Sequence, residues 1–127
     1  MVRIYQLMKT LRVLVIEDDV LIAMLLAEQL AGMGHDVCAT ASTEAEARIA
    51  AIRYRPDLII VDARLGLGSG VAVIEEILRA APVAHVFVSG DPEKVRVYRP
   101  DAIVVKKPFR QAELESAIDI ALAAASG

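Results

Sequence analysis

Short apolar runs and longer amphipathic stretches alternate along the whole chain. Residues 11–16 are apolar and β-branched and predict a strand. Residues 20–33 carry apolar side chains at helical spacing, and Gly34 stands where such a helix would end. Residues 36–40 read as a second strand. Ser42 or Thr43 can cap a helix running to about residue 54, and Pro56 breaks it. Residues 58–61 form a strongly apolar third strand. Gly66, Gly68 and Gly70 predict a loose loop before a helix over 71–80, which Pro82 stops. Residues 85–88 and 102–105 predict the fourth and fifth strands, with a helix of a turn or two around 93–98 between them. An Ala-rich helix over 111–125 closes the chain. Strands alternating with helices at this spacing mean β-α-β units. The expected fold class is α/β, a doubly wound five-stranded parallel sheet with helices on both faces.

Composition agrees with that architecture. Hydrophobic residues make up 56 % of the 127 residues, but aromatics only 4 %, so the apolar mass is Ala, Val, Leu and Ile. Buried parallel strands under Ala-rich helices need that mixture. The length suits one domain, here residues 11–127 after an N-terminal leader over 1–10, with Met8 as an alternative start. A net charge of −3 supplies no basic field for nucleic acid. No segment reaches the ~20 apolar residues needed to cross a bilayer. The lone cysteine, Cys38, reads as a small buried hydrophobe, and the chain has no disulfide framework, in keeping with a cytoplasmic setting.

In open parallel sheets, ligands gather beyond the carboxyl ends of the strands. Glu17, Asp18 and Asp19 follow the first strand, Asp62 the third, Ser89, Gly90 and Asp91 the fourth, and Lys106, Lys107 and Pro108 the fifth. Clustered carboxylates repel one another unless a cation neutralises them. Oxygen ligands without His or Cys favour Mg²⁺ over zinc. A neighbouring lysine and hydroxyl can bind phosphoryl oxygens, and a carboxylate can itself be the nucleophile. The constellation reads as phosphoryl transfer to an aspartate. Any one of these residues alone is as readily a turn or helix-cap residue; four such groups on four strand ends are far more specific.

From about residue 11 to 124 the chain resembles the receiver domain of two-component response regulators, with its flavodoxin-like fold. The likeness rests on Glu17-Asp18-Asp19 after a Val-Leu-Val-Ile strand, on Asp62 closing Leu58-Ile59-Ile60-Val61, on Ser89-Gly90 and on Lys107-Pro108-Phe109. It implies that Asp62 accepts a phosphoryl group from a phosphohistidine of a sensor histidine kinase or a histidine phosphotransfer protein. It implies Mg²⁺ held by Asp18, Asp62 and the backbone carbonyl of Arg64, with Glu17 helping directly or through water. Ser89 would bond the transferred group, and Lys107 would pair with Asp62 and then with a phosphoryl oxygen. The peptide bond before Pro108 is expected to be cis, and Gly90 to be small where bulk would block the phosphate. Asp19 either joins the acidic cluster or caps the following helix. Residues 87–93 are similar to receivers of the alphaproteobacterial general-stress type and their single-domain relatives.

Three departures from the usual receiver pattern stand out. Gly66 replaces the proline four residues past the acceptor. Val104 occupies the aromatic switch position, with Tyr98 and Phe87 as substitutes. The segment between Ser89 and Lys107 is short and holds Pro92 and Pro100. These changes fall on the face that most receivers use for output, so a monomer or weak dimer is expected rather than a phosphorylation-driven dimer. Arg64 and Asp91 either pair across the mouth of the site or are two solvated charges. His35 reads as a solvated turn residue and His85 as a bland strand residue. Ile22, Leu26, Leu30 and Met33 form a core stripe, and Leu21, Met24 and Leu25 widen it or present a partner face.

Three function classes compete. The first is a single-domain response regulator, not an enzyme beyond its own phosphoryl transfer and dephosphorylation, signalling by protein contact or phosphorelay. The second is an aspartyl-phosphate phosphatase of the haloacid dehalogenase type, disfavoured because its Asp-x-Asp pattern after the first strand and its cap domain are missing. The third is a pseudo-receiver acting as a phosphorylation-independent binding module, against which stand Asp18, Asp62, Ser89 and Lys107.

Overall fold

A computed structural model describes residues 9–126. The leader expected over 1–10, and Met8 as a start, therefore lie outside the described residues apart from Lys9 and Thr10. Strand β1 (Arg12–Ile16) leads into helix α1 (Val20–Gly32), and β2 (Asp36–Ala41) into α2 (Glu44–Tyr54). Strand β3 (Leu58–Asp62) is followed by two short strands, β4 (Arg64–Leu65) and β5 (Gly68–Ser69), and then by α3 (Gly70–Ala80). Strand β6 (Ala84–Ser89), helix α4 (Pro92–Tyr98), strand β7 (Val104–Lys106) and helix α5 (Gln111–Ser126) complete the chain. The main sheet has five parallel strands in the order β2-β1-β3-β6-β7.

Side chains alternate across the sheet, so each strand feeds two cores. Val13, Val15, Leu58, Ile60, Val86 and Val88 pack with Leu26 and Leu30 of α1 and Leu114 and Ile118 of α5. Leu14, Ile16, Ile59, Val61 and Phe87 pack on the other face with Ala47 and Ala50 of α2, Val73 and Ile74 of α3 and Val95 of α4. Small alanines on α2 let that helix lie close to the sheet. Asp19 caps α1, Thr43 caps α2 and Ser69 caps α3, each accepting backbone N–H groups of the first turn. Gly34 (φ 87) takes the chain out of α1 in the left-handed conformation that glycine adopts freely.

Several expectations need correction. The glycine-bearing segment after Asp62 is a β-hairpin: Arg64 pairs with Ser69 and Leu65 with Gly68, antiparallel, around a turn at Gly66 (φ 54). Glycine fits because the turn needs a positive φ. Leu21, Met24 and Leu25 do not widen the core stripe. Leu21 is 77 % exposed and the other two are exposed as well, while Leu26 and Leu30 are buried and Ile22 and Met33 pack at the core edge. His35 is not simply solvated: it is half-buried, and its Nδ1 accepts the Leu11 N–H at 3.2 Å, tying the start of β1 to the end of the α1 turn. Burial lowers its pKa, against the pull of Glu115 and Asp119. Cys38 is half-buried rather than buried; it sits where the β1–β2 register slips by one residue, and its Sγ donates to the Val13 carbonyl at 3.4 Å.

Candidate functional site

The parallel strands end together, and the polar residues beyond them converge on Asp62. Asp62 is the last residue of β3 and only 8 % exposed. Its Oδ2 accepts Lys107 Nζ at 2.9 Å, and its Oδ1 accepts the Arg64 N–H at 3.0 Å. Glu17, one residue past β1 and 3 % exposed, accepts Lys107 Nζ at 3.4 Å through Oε1 and the Asp19 N–H at 3.1 Å through Oε2. Asp18 is exposed beside them. Glu17, Asp18 and Asp62 each bring a carboxylate oxygen within 4.8 Å of the others. Lys107, just past β7, is the cation among these acids, and its following bond to Pro108 is cis.

The electrostatics follow from this crowding. Burial raises the Glu17 pKa from 4.5 to about 7; the Asp19 N–H opposes that, while the hydrogen bond and charge of Asp62 add to it. Burial works against the charge of Lys107, but the Asp62 hydrogen bond and the charges of Asp62 and Glu17 outweigh it and raise its pKa above the ordinary lysine value. Two buried carboxylates thus share one ammonium group, and a third carboxylate faces solvent. Hard oxygen donors, excess negative charge and one open side are what a Mg²⁺ site offers, so the residues present fit the ion.

Ser89 ends β6, where its Oγ accepts the Asp91 N–H at 3.0 Å, and its carbonyl accepts the Lys107 N–H at 2.8 Å. The hydroxyl proton remains to be donated. A side chain at Gly90 would meet no atom within 4 Å, so this glycine leaves open space beside Ser89. Arg64 opens β4 with its side chain exposed. Asp91 does not pair with it; its carboxylate caps α4 by accepting the Lys94 N–H at 3.3 Å. Asp19 likewise serves as a cap, its Oδ1 accepting the N–H groups of Leu21 at 2.9 Å and Ile22 at 3.2 Å. Of the substitute aromatics, Tyr98 is exposed at the end of α4, whereas Phe87 is fully buried directly beside Val104 in the sheet.

Glu44 carries no signal in the order of residues. From the first turn of α2 its Oε2 accepts the Ser69 N–H at 2.9 Å, across 25 residues, and so holds the hairpin that follows Asp62. Only a long-range pairing signal would have found it.

The response regulator receiver domain family matches residues 13–119, nearly the whole described chain. This chain belongs to that family. It is 38 % identical over 114 residues to the phyllosphere-induced regulator PhyR of Methylorubrum extorquens, covering 87 % of this chain and 43 % of that protein. The solution structure of the PhyR receiver domain from Erythrobacter litoralis superposes with a TM-score of 0.81 at 34 % identity, covering 91 % of this chain and 92 % of that one. The crystal structure of the anti-anti-sigma factor PhyR from Bartonella quintana gives 0.87 at 30 % identity, covering 98 % of this chain and 52 % of that one. The chain therefore spans about half the length of these full-length relatives. The likeness of residues 87–93 to general-stress receivers points to the same relatives. Receiver regulators are generally signalling proteins rather than enzymes. No helix among the described residues is long and apolar enough to cross a membrane.

Proposed function

We propose that this receiver domain, residues 11–127, accepts a phosphoryl group on Asp62 from the phosphohistidine of a sensor histidine kinase or a histidine phosphotransfer protein. The carrying observation is Lys107 Nζ at 2.9 Å from a buried Asp62 carboxylate with Glu17 and Asp18 alongside. An Asp62 oxygen attacks phosphorus; the new P–O bond forms as the P–N bond breaks, and its electron pair leaves with the imidazole. Lys107 neutralises Asp62 before transfer and is within reach of a phosphoryl oxygen after it. The Ser89 O–H donates to another. Glu17, Asp18, Asp62 and the Arg64 carbonyl would hold Mg²⁺, which supplies positive charge against the carboxylates and the phosphoryl oxygens. The Arg64 N–H keeps Asp62 from rotating.

Signalling from this domain proceeds by protein contact or phosphorelay, in the cytoplasm where such donors act, from a monomer or weak dimer. The test is phosphorylation by acetyl phosphate with Mg²⁺, read by intact mass, on the wild type and Asp62→Asn, and then with a phosphohistidine donor. A Mg²⁺-dependent adduct on the wild type alone is expected. No adduct from either donor would instead favour a pseudo-receiver that binds partners without phosphorylation.

A further inference from the structure

The hairpin behind Asp62 is tied down from outside the site. Its first strand supplies the Arg64 N–H that donates to Asp62 Oδ1 at 3.0 Å. Its turn brings Gly66 so close that a Cβ there would lie 3.5 Å from Asp18 Oδ2. Its second strand ends in Ser69, whose Oγ accepts the Ala72 N–H at 3.1 Å as the cap of α3 and whose own N–H donates to Glu44 Oε2 at 2.9 Å. The same Glu44 carboxylate fills the space above Gly68 into which a side chain would project. Glu44 itself is half-buried at the start of α2, with its other oxygen 3.7 Å from Arg48.

We infer that Glu44 is a positioning residue for the acceptor site, holding the β4–β5 hairpin so that the Arg64 N–H and the Gly66 turn keep their places against Asp62 and Asp18. Two features make this more than a surface contact. The Gly70 N–H donates to the Ala63 carbonyl at 3.0 Å, which makes Arg64 and Ser69 a non-hydrogen-bonded pair with the Ser69 N–H turned outward, and the Glu44 carboxylate gives that N–H a charge-assisted bond. Gly68 is glycine where the Glu44 carboxylate needs the space, so the two residues are one device. The Arg48 pair with Glu44 is exposed, and screening leaves it little weight. The inference rests on the phosphoacceptor reading only for its consequence in phosphorylation; the hairpin anchor stands apart from it.

At Gly68→Ala the three atoms nearest the new Cβ all belong to the flexible Glu44 side chain, so the variant should expel that carboxylate and reproduce Glu44→Ala. The experiment compares wild type, Glu44→Ala, Glu44→Gln, Gly68→Ala and Arg48→Ala. It reads Ser69 and Arg64 amide hydrogen exchange in metal-free protein, Mg²⁺ affinity by calorimetry, thermal melting and acetyl-phosphate labelling. Glu44→Ala and Gly68→Ala are expected to speed exchange at both amides and to weaken Mg²⁺ by roughly 3- to 10-fold, less than the roughly 10- to 100-fold loss of a direct partner. Glu44→Gln keeps an acceptor and should restore most of the affinity, and Arg48→Ala should match the wild type. The double variant should be no worse than either single one. Unchanged Ser69 and Arg64 exchange in Glu44→Ala would overturn the inference, as would a Mg²⁺ loss tracking only a lowered melting temperature. Failure of the wild type to accept phosphate would overturn the phosphoacceptor reading instead and leave the exchange result to decide this one.

Discussion

Around β1 and β3, the groups next to Asp62 are held by bonds that reach far along the chain, Lys107 to Asp62 and Glu17 and Ser69 to Glu44, and by the local bond from Arg64 to Asp62. Around α4 the fastening is sparse. Of its seven residues Val95 alone is buried, while Val97 and Tyr98 lie in solvent, and the Asp91 carboxylate and the Arg99 N–H, which donates to the Val95 carbonyl, tie its two ends. The same sheet edge thus joins a rigid chemical end to a lightly anchored helix. Hydrogen bonds to charged groups fix geometry at the first, and a single apolar contact fixes position at the second. Substitutions at the two should therefore fail in different ways, the first in chemistry and the second in local stability.

The largest effect should come from Lys107→Ala. It leaves Asp62 and Glu17 with no cation, and the rate of acetyl-phosphate labelling should fall by about 10²- to 10³-fold; a smaller loss would mean the lysine is not aimed at the transferred group. Next, Gly70→Ala drives a Cβ into the Asp62 backbone carbonyl and the Val61 side chain. Backbone has to move, so urea unfolding should show about 2–3 kcal/mol of lost stability.

The acidity of Glu17 supplies a third test. Its folded pKa of about 7 lies above the ordinary 4.5, so the metal-free fold prefers the protonated acid. That stability is fully present below pH 4.5 and is lost as pH rises through about 7, by on the order of 1–3 kcal/mol. His35 and His85, both lowered by burial, push in the opposite direction, so the comparison is wild type against Glu17→Gln. Urea unfolding at pH 5 and 8 should show the wild type losing stability relative to Glu17→Gln as the pH rises. Smallest is the contrast within α4: Val95→Ala should cost about 1–2 kcal/mol and Val97→Ala less than about 0.5. Equal losses would show α4 to be packed more like α1 than its exposure suggests.

Much of this was written in the order of residues. Strands buried on both faces are near-continuous apolar runs, so β1 and β3 stood out, and Asp62 marked the end of one of them. Four strand ends in one sheet then brought Glu17, Asp62, Ser89 and Lys107 together by topology alone. What stayed hidden depends on partners remote in sequence. His35 looked solvated because its acceptor role is defined by Leu11, 24 residues earlier. The hairpin looked like a loose loop because glycines signal freedom locally, while Glu44 lies 25 residues away. Leu21, Met24 and Leu25 were ambiguous since α1 has more apolar residues than one face can bury, and periodicity alone does not say which row turns inward.

The contact between Glu17 and Lys107 closes over 90 residues of chain, and that between Asp62 and Lys107 over 45. Such closures are late and entropically slow steps in assembling a domain. A partly folded chain with β1 to β3 in place would hold the acids without their counter-charge, and would lack Ser89 as well. The site is therefore a gauge of complete folding, and any ion captured there only by the folded chain stabilises the whole molecule by an amount that grows with the logarithm of the ion's concentration above its Kd.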